Sequence, residues 1–255
     1  MIDQFLKAAL NAIKSAEDII MHYYHSYNIE TKLKSDLTPV TVADQESEKV
    51  IKEIIHKSFP DHGFLGEETG SIEGNSSYTW IIDPIDGTKN YAKKIPFFAT
   101  QVALMKGKEL ILGVSNAPAL NELLYATKNN GAFMNHQRIQ VSTVEDISNA
   151  MICFGSIKTS IKKNQTENLL KLIAESSRDR GFGDFYIYHM VASGRAEIAV
   201  EHYPLKIWDI AAMKIITEEA GGCITDLNGN SIEDKVESVL ATNGKLHDRV
   251  LQYFK

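Results

Sequence analysis

Trp80-Ile81-Ile82-Asp83-Pro84-Ile85-Asp86-Gly87-Thr88 runs from an apolar triplet straight into two acids, a proline and a glycine. The triplet reads as a short buried strand. Pro84 has no backbone N–H and disfavours a helical conformation at Asp83, so the strand is expected to stop there. Asp86 follows within one turn, which lets two carboxylates converge on one spot. Gly87 permits close backbone approach to a ligand, and Thr88 adds a hydroxyl beside it. Paired carboxylates with exposed amides suit a hard divalent cation together with phosphate. Asp, Pro and Gly are equally the residues of a capped turn. Both readings stand at this point.

Working outward, residues 2–27 carry Phe5, Ala9, Ile13, Ala16 and Ile20 at helical spacing, and a second helix is expected from about Val42 to Lys57. Residues 69–78, rich in Gly, Ser and Asn, read as a loop. Phe98–Met105 and Leu110–Val114 flank a turn at Lys106–Glu109, and Leu123–Ala126 and Ala132–Met134 follow, an antiparallel meander. Beyond about residue 145 strands at Met151–Phe154, Ala196–Val200 and Ser238–Ala241 alternate with helices at 164–176, 185–193, Ile210–Ala220 and His247–Phe254. Sheets covered by helices imply a layered α/β or α+β fold. The first part, 1–145, would hold the meander sheet, and 146–255 a smaller mixed sheet with helices; the two form one compact unit with a soft seam near 140–148.

A chain of 255 residues, 44% hydrophobic and 24% charged, has the composition of a soluble globular protein. Its net charge of −6 argues against nucleic-acid and anionic-membrane partners. It leaves a phosphorylated substrate open, because bound cations invert the local field. Cys153 and Cys223 form no C-x-x-C unit and read as two buried free thiols. Asp3 and Lys7 interrupt the N-terminal segment, so it does not read as a signal peptide, and no stretch has the length of a membrane span. The expected compartment is the cytoplasm.

Two further acids matter. Glu67, in Gly66-Glu67-Glu68, is a candidate oxygen ligand or a solvated loop acid. Asp209 opens the helix Ile210–Ala220, where it can act as N-cap, as metal ligand, or as both. A haloacid-dehalogenase D-x-D-G-T fails on spacing, Lys89–Lys94 does not supply the oxygen ligands of an EF-hand, and Gly181-Phe182-Gly183 is too little for a Walker P-loop.

Four segments in this order resemble the inositol monophosphatase family: Pro39-Val40-Thr41-Val42-Ala43-Asp44, Leu65-Gly66-Glu67-Glu68, Trp80–Asn90, and Trp208-Asp209-Ile210-Ala211-Ala212 ending in Glu219-Ala220-Gly221-Gly222. The resemblance covers essentially the whole chain. It implies an α-β-α-β-α sandwich and a phosphomonoesterase using two or three Mg²⁺ ions. By that resemblance Glu67, Asp83 and the Ile85 carbonyl would hold a first ion, and Asp83, Asp86 and Asp209 a second. A third, weaker ion would sit near Glu67. The Gly87 and Thr88 amides would hold the phosphate, with Asp86 and Asp209 beside the substrate, and Thr88 with Asp44 would orient the attacking water. Lithium sensitivity and a homodimer are implied in the same way. A catalytically silent metal-binding protein is the competing class, against which the intact set Asp44, Glu67, Asp83, Asp86, Thr88 and Asp209 argues.

Arg180-Gly181-Phe182-Gly183-Asp184-Phe185-Tyr186 and Val191-Ala192-Ser193-Gly194-Arg195-Ala196-Glu197 are similar to the histidinol-phosphate phosphatase branch of that family. The implied substrate is the small phosphorylated metabolite L-histidinol phosphate, in histidine biosynthesis; inositol 1-phosphate and a broader sugar or nucleotide phosphate are the alternatives. Asp184 suits a cationic leaving group, and an N-cap for the helix at 185–193 is its other reading. The branch carries a substrate-side acid six residues before the Trp-Asp pair, where this chain has His202. Glu201, one place earlier, is the candidate substrate-binding acid if the loop carries an extra residue or turns differently. His202, His22 and His25 read as surface residues, and Lys34 as a phosphate-attracting or solvated loop lysine.

Overall fold

A computed structural model describes residues 2–26, 31–33, 39–232 and 235–255. Helix α1 (Ile2–His25) is followed by the short antiparallel pair β1 (Thr31–Leu33) and β2 (Pro39–Thr41), then α2 (Val42–Ser58). Strands β3 (Gly63–Gly66), β4 (Gly70–Ile72) and β5 (Tyr78–Asp86) lead to the short helix α3 (Thr88–Ala92). The meander follows as β6 (Ala99–Lys106), β7 (Glu109–Ala117), β8 (Glu122–Thr127), β9 (Ala132–Met134) and β10 (Gln137–Ile139). The second half contains β11 (Met151–Phe154), α4 (Ile157–Lys162), α5 (Thr166–Glu175), β12 (Arg178–Arg180) and α6 (Asp184–Ala192). It continues through β13 (Ile198–Glu201), β14 (Leu205–Lys206), α7 (Ile207–Glu219) and β15 (Cys223–Thr225). Strands β16 (Lys235–Val236) and β17 (Val239–Thr242) and helix α8 (His247–Leu251) complete it.

The large sheet has the order β10-β9-β8-β7-β6-β5-β3-β4, and the smaller one β12-β11-β13-β17-β15. Both are mixed: β3 runs parallel to β5 at the edge of the otherwise antiparallel meander, and β11 runs parallel to β12 and β13. Strand alternation explains the layering. Trp80, Ile82, Val102, Leu104, Leu112 and Val114 pack under α1 and α2. Ile81 and Ala103, pointing the other way, meet Ile207, Ala211 and Ala212 of α7. In the small sheet Cys153, Ala199 and Ala241 face α6 and α7, while Ile152, Ile198, Val200 and Leu240 face α5 and α8. The result is the expected α-β-α-β-α stack, with α6 and α7 as the shared middle layer.

Several local expectations change. Strand β5 does not stop at Asp83 but runs on to Asp86, because a bulge absorbs the proline. Pairing with β6 jumps from Asp83↔Gln101 to Asp86↔Ala99, and pairing with β3 ends at Ile82, so the N–H that Pro84 lacks is never required. The Pro84 carbonyl instead accepts from Thr100 Oγ1 at 2.9 Å. The expected loop 69–78 contains β4, an exposed edge strand. Helix α4 was not expected, and α5 is the central part of the 164–176 segment. Cys223 is half-buried; both cysteines are free.

Candidate active site

Alternation places Asp83 on the same side of β5 as Ile81, facing α7. The bulge then lets Asp86 return toward the same space within three residues. Gly87 turns the chain into α3 with φ +86°, and a Cβ there would lie 2.6 Å from the Phe97 carbonyl oxygen, so a glycine is required twice over.

Asp44 and Asp209 occupy equivalent helical positions. Each is the third residue of its helix and turns its carboxylate back on the residue before the helix: Thr41 N–H to Asp44 Oδ2 at 2.8 Å, Lys206 N–H to Asp209 Oδ2 at 2.7 Å. Asp209 is therefore not the N-cap that the sequence suggested, because α7 starts at Ile207. Asp44 Oδ2 also accepts from the Thr41 hydroxyl at 2.6 Å, and its Oδ1 faces the Thr88 hydroxyl at 3.3 Å. Thr88 Oγ1 lies 2.9 Å from the Ile85 carbonyl oxygen.

Glu67 is delivered by the turn after β3. Its N–H donates to the Ile82 carbonyl at 3.1 Å, extending the β3–β5 pairing by one bond. The turn is held from beneath by Glu48 of α2, a fully buried carboxylate that accepts from Glu68 N–H at 2.8 Å, Thr69 N–H at 3.1 Å and the Thr69 hydroxyl. A Cβ on Gly66 would stand 2.3 Å from Glu48 Oε1. Gly66→Ala is expected to displace this tethered carboxylate and destabilise the fold by ~1–3 kcal/mol. Urea unfolding measures it; an unchanged midpoint would show that Glu48 does not tether the turn.

A cavity of about 630 Å³ is lined by Glu67, Asp83, Ile85, Asp86, Gly87, Thr88 and Asp209 together with Asp184, Tyr188 and Glu201. The structure thus gathers every site residue singled out from the sequence except Asp44, which stands behind Thr88. Lys34 lies outside the described residues. Among the described residues no three acidic, histidine or cysteine side chains form a ready-made metal set. The acids surround the cavity, with Asp83 sharing a hydrogen bond with Glu67.

Burial dominates the electrostatics. Asp83 is 1% exposed, and burial, then Glu67, Asp86 and Asp209, hold its pKa well above the carboxylate range. Burial, then Asp184 and Asp209, raise Asp86 strongly, against the N–H of Phe185 at the start of α6, which donates to it. Burial pushes Asp209 up to about 7, against its bond from Lys206 N–H. Glu201 is likewise pushed up to about 7 by burial, while Tyr203 N–H donates to it at 2.8 Å. Lys89, Lys158 and Lys162 also line the cavity, but the buried acids Asp83, Asp86 and Asp209 remain raised, and such a cluster of carboxyl oxygens suits a hard divalent cation.

Asp184 is not an N-cap. It is the first residue of α6, held at φ +48°, and its Oδ2 accepts from Asn90 Nδ2 at 2.8 Å across the cavity. A left-handed non-glycine residue of this kind is strained, and such strain clusters at functional sites. His202 is not a surface histidine. It is 3% exposed, Nδ1 bonds Ser160 at 2.9 Å, and burial lowers its pKa to about 4. His22 and His25 are exposed as expected. Asn90 and Tyr188 went unnoticed in the sequence. Tyr188 carried one usable signal, its i,i+4 spacing from Asp184 on a helix.

Comparison with known proteins supplies the class. A family model described as the inositol monophosphatase family matches residues 1–255. A histidinol-phosphatase of Streptomyces coelicolor is 36% identical over 248 residues, covering 94% of this chain and 92% of that protein. A histidinol-phosphatase of Mycobacterium tuberculosis is 35% identical, covering 96% of each. Among solved structures, the extragenic suppressor protein SuhB of Bartonella henselae superposes with a TM-score of 0.92 at 31% identity, covering 99% of this chain and 98% of that one. The IMPase of Thermotoga maritima gives 0.88 at 31% identity, covering 98% and 96%. These relatives define a phosphoric monoester hydrolase. The chain belongs to the inositol monophosphatase family, whose members use divalent metal ions. Among the described residues no helix is long and apolar enough to cross a membrane.

Proposed function

We propose that this chain is a Mg²⁺-dependent phosphatase that hydrolyses L-histidinol phosphate by direct attack of water. The observation that supports the reading is one cavity whose lining holds Glu67, Asp83, Asp86 and Asp209 and, beyond what a cation site needs, Asp184 and Glu201. An amino alcohol with a cationic amine and an imidazole gives Asp184 and Glu201 a partner that a neutral polyol does not. The histidinol-phosphatase names of several relatives point the same way.

Glu67, Asp83 and the Ile85 carbonyl would hold one ion, and Asp83, Asp86 and Asp209 another, with Asp83 shared; a third would sit beside Glu67. The ions would supply Lewis acidity for the attacking water and charge for the departing alkoxide. The amides of Gly87 and Thr88 hold the phosphate in this reading. Thr88 Oγ1 has one proton and two acceptors within reach, the Ile85 carbonyl at 2.9 Å and Asp44 Oδ1 at 3.3 Å. With that carbonyl turned to a cation, the proton would go to Asp44 and Oγ1 would accept from the attacking water. Asp184 and Glu201 bind the leaving group.

The test is phosphate release from a panel of esters with Mg²⁺ present: L-histidinol phosphate, inositol 1-phosphate, fructose 1,6-bisphosphate and a nucleoside monophosphate. The expected result is a kcat/KM for histidinol phosphate at least about tenfold above the rest, the ~1.4 kcal/mol of one good charge-assisted contact. A preference for inositol phosphate would overturn the substrate assignment and leave the hydrolase class intact.

A further inference from the structure

Tyr188 lies one helical turn after Asp184 on α6, and both line the cavity. The Tyr188 ring is 2% exposed and packed in the core between the sheets. Its hydroxyl nevertheless has no hydrogen-bond partner among the described residues. A buried phenol ordinarily finds one, and leaving it unpaired costs ~1–3 kcal/mol. The carboxylates whose charge acts on it are Glu201, Asp86, Asp209 and Asp184, all of them in the lining of the same cavity. An ester whose phosphate lies on Gly87 and Thr88 and whose alcohol reaches Asp184 and Glu201 occupies the cavity that Tyr188 also lines.

We infer that Tyr188 is a specificity-determining residue whose phenol oxygen hydrogen-bonds the polar leaving group of the phosphate ester. The inference rests on the reading that Asp184 and Glu201 face that leaving group. A phenol suits the position because it both donates and accepts. An ammonium donates to its oxygen while the flanking carboxylates balance the charge; a hydroxyl or ring nitrogen accepts from its O–H. A carboxylate at this point would add a further buried negative charge to the existing set, and a phenylalanine would offer a polar alcohol nothing.

Tyr188→Phe removes one oxygen and keeps the ring. Steady-state kinetics of wild type and variant are compared with L-histidinol phosphate and with phenyl phosphate, whose leaving group has no ammonium or ring nitrogen. The KM for histidinol phosphate is expected to rise about tenfold more than that for phenyl phosphate, with kcat changed by less than about threefold. The melting temperature is expected not to fall, since the lost atom had no protein partner. Equal changes for the two esters, or no change, would overturn the assignment. Should wild type prefer another ester in the panel, the histidinol-phosphate reading fails by itself. The same comparison of that ester with phenyl phosphate then decides Tyr188.

Discussion

Asp83→Asn is expected to lower kcat/KM by on the order of a thousandfold or more, while the variant folds as well as wild type. The size follows from position. Asp83 is the acid with Glu67, Asp86 and Asp209 all as charged neighbours, and the one through which two cations would be joined. Asparagine keeps the shape, and its Oδ1 still accepts from Ile85 N–H, a bond of 3.0 Å in wild type. Only the charge is lost. Stability in the absence of cation should be equal or higher. A carboxyl whose folded pKa is raised above its unfolded value destabilises the fold at any pH above that unfolded value, and the neutral amide carries no such penalty. Circular dichroism melts in EDTA, beside phosphate-release kinetics in Mg²⁺, separate the two effects. Undiminished turnover would sink the proposed mechanism.

Magnesium should raise the melting temperature of wild type by ~5–10 °C at pH 7.5, at a concentration about a hundredfold above its Kd. At pH 5.5 the rise should be much smaller. The sign follows from the raised carboxyls. Burial pushes Asp209 and Glu201 up to about 7, and burial and the neighbouring carboxylates hold Asp83 and Asp86 well above the ordinary carboxylate range. Between the unfolded carboxylate range and those values the folded protein holds more protons than the unfolded chain. Falling pH through that window therefore stabilises the cation-free protein, and a cation must displace protons in order to bind. His202, with its folded pKa near 4 against about 6.5 unfolded, works in the opposite sense: its contribution is lost as pH falls below about 6.5. Comparing melts with and without Mg²⁺ at each pH removes His202 from the difference. An equal rise at both pH values would mean that the cation does not bind these acids.

The elements that carry chemistry were largely legible because each combines a periodic pattern with a local stop. Trp80–Ile82 announced a buried strand, Gly87 a turn, and Gly221-Gly222 the end of α7, where Gly221 has φ +93°. Less legible were features set by a neighbour. Strand β5 passes through Pro84 only because β6 accommodates a bulge at Thr100. The Asp209 carboxylate caps from the third helical position because α7 begins at β14, whose pairing with β16 is remote in sequence. His202 read as a surface residue because nothing near it in the chain reveals that Ser160 and the ring of Phe254 enclose it.

By itself, then, the sequence determined the layered fold, the family resemblance and the roster of acids. Hydrophobic periodicity and the steric limits of proline and glycine act within a few residues and can be read there. Only the tertiary structure decided that Asp184 and Glu201 line one cavity with Asp83, Asp86 and Asp209, and that the Tyr188 hydroxyl is left unpaired beside it. Burial and through-space charge decide such matters, and both belong to the packed molecule. Asp83–Thr88 begins as a turn bearing two acids and becomes one wall of a site only when α6 and α7 are laid across it.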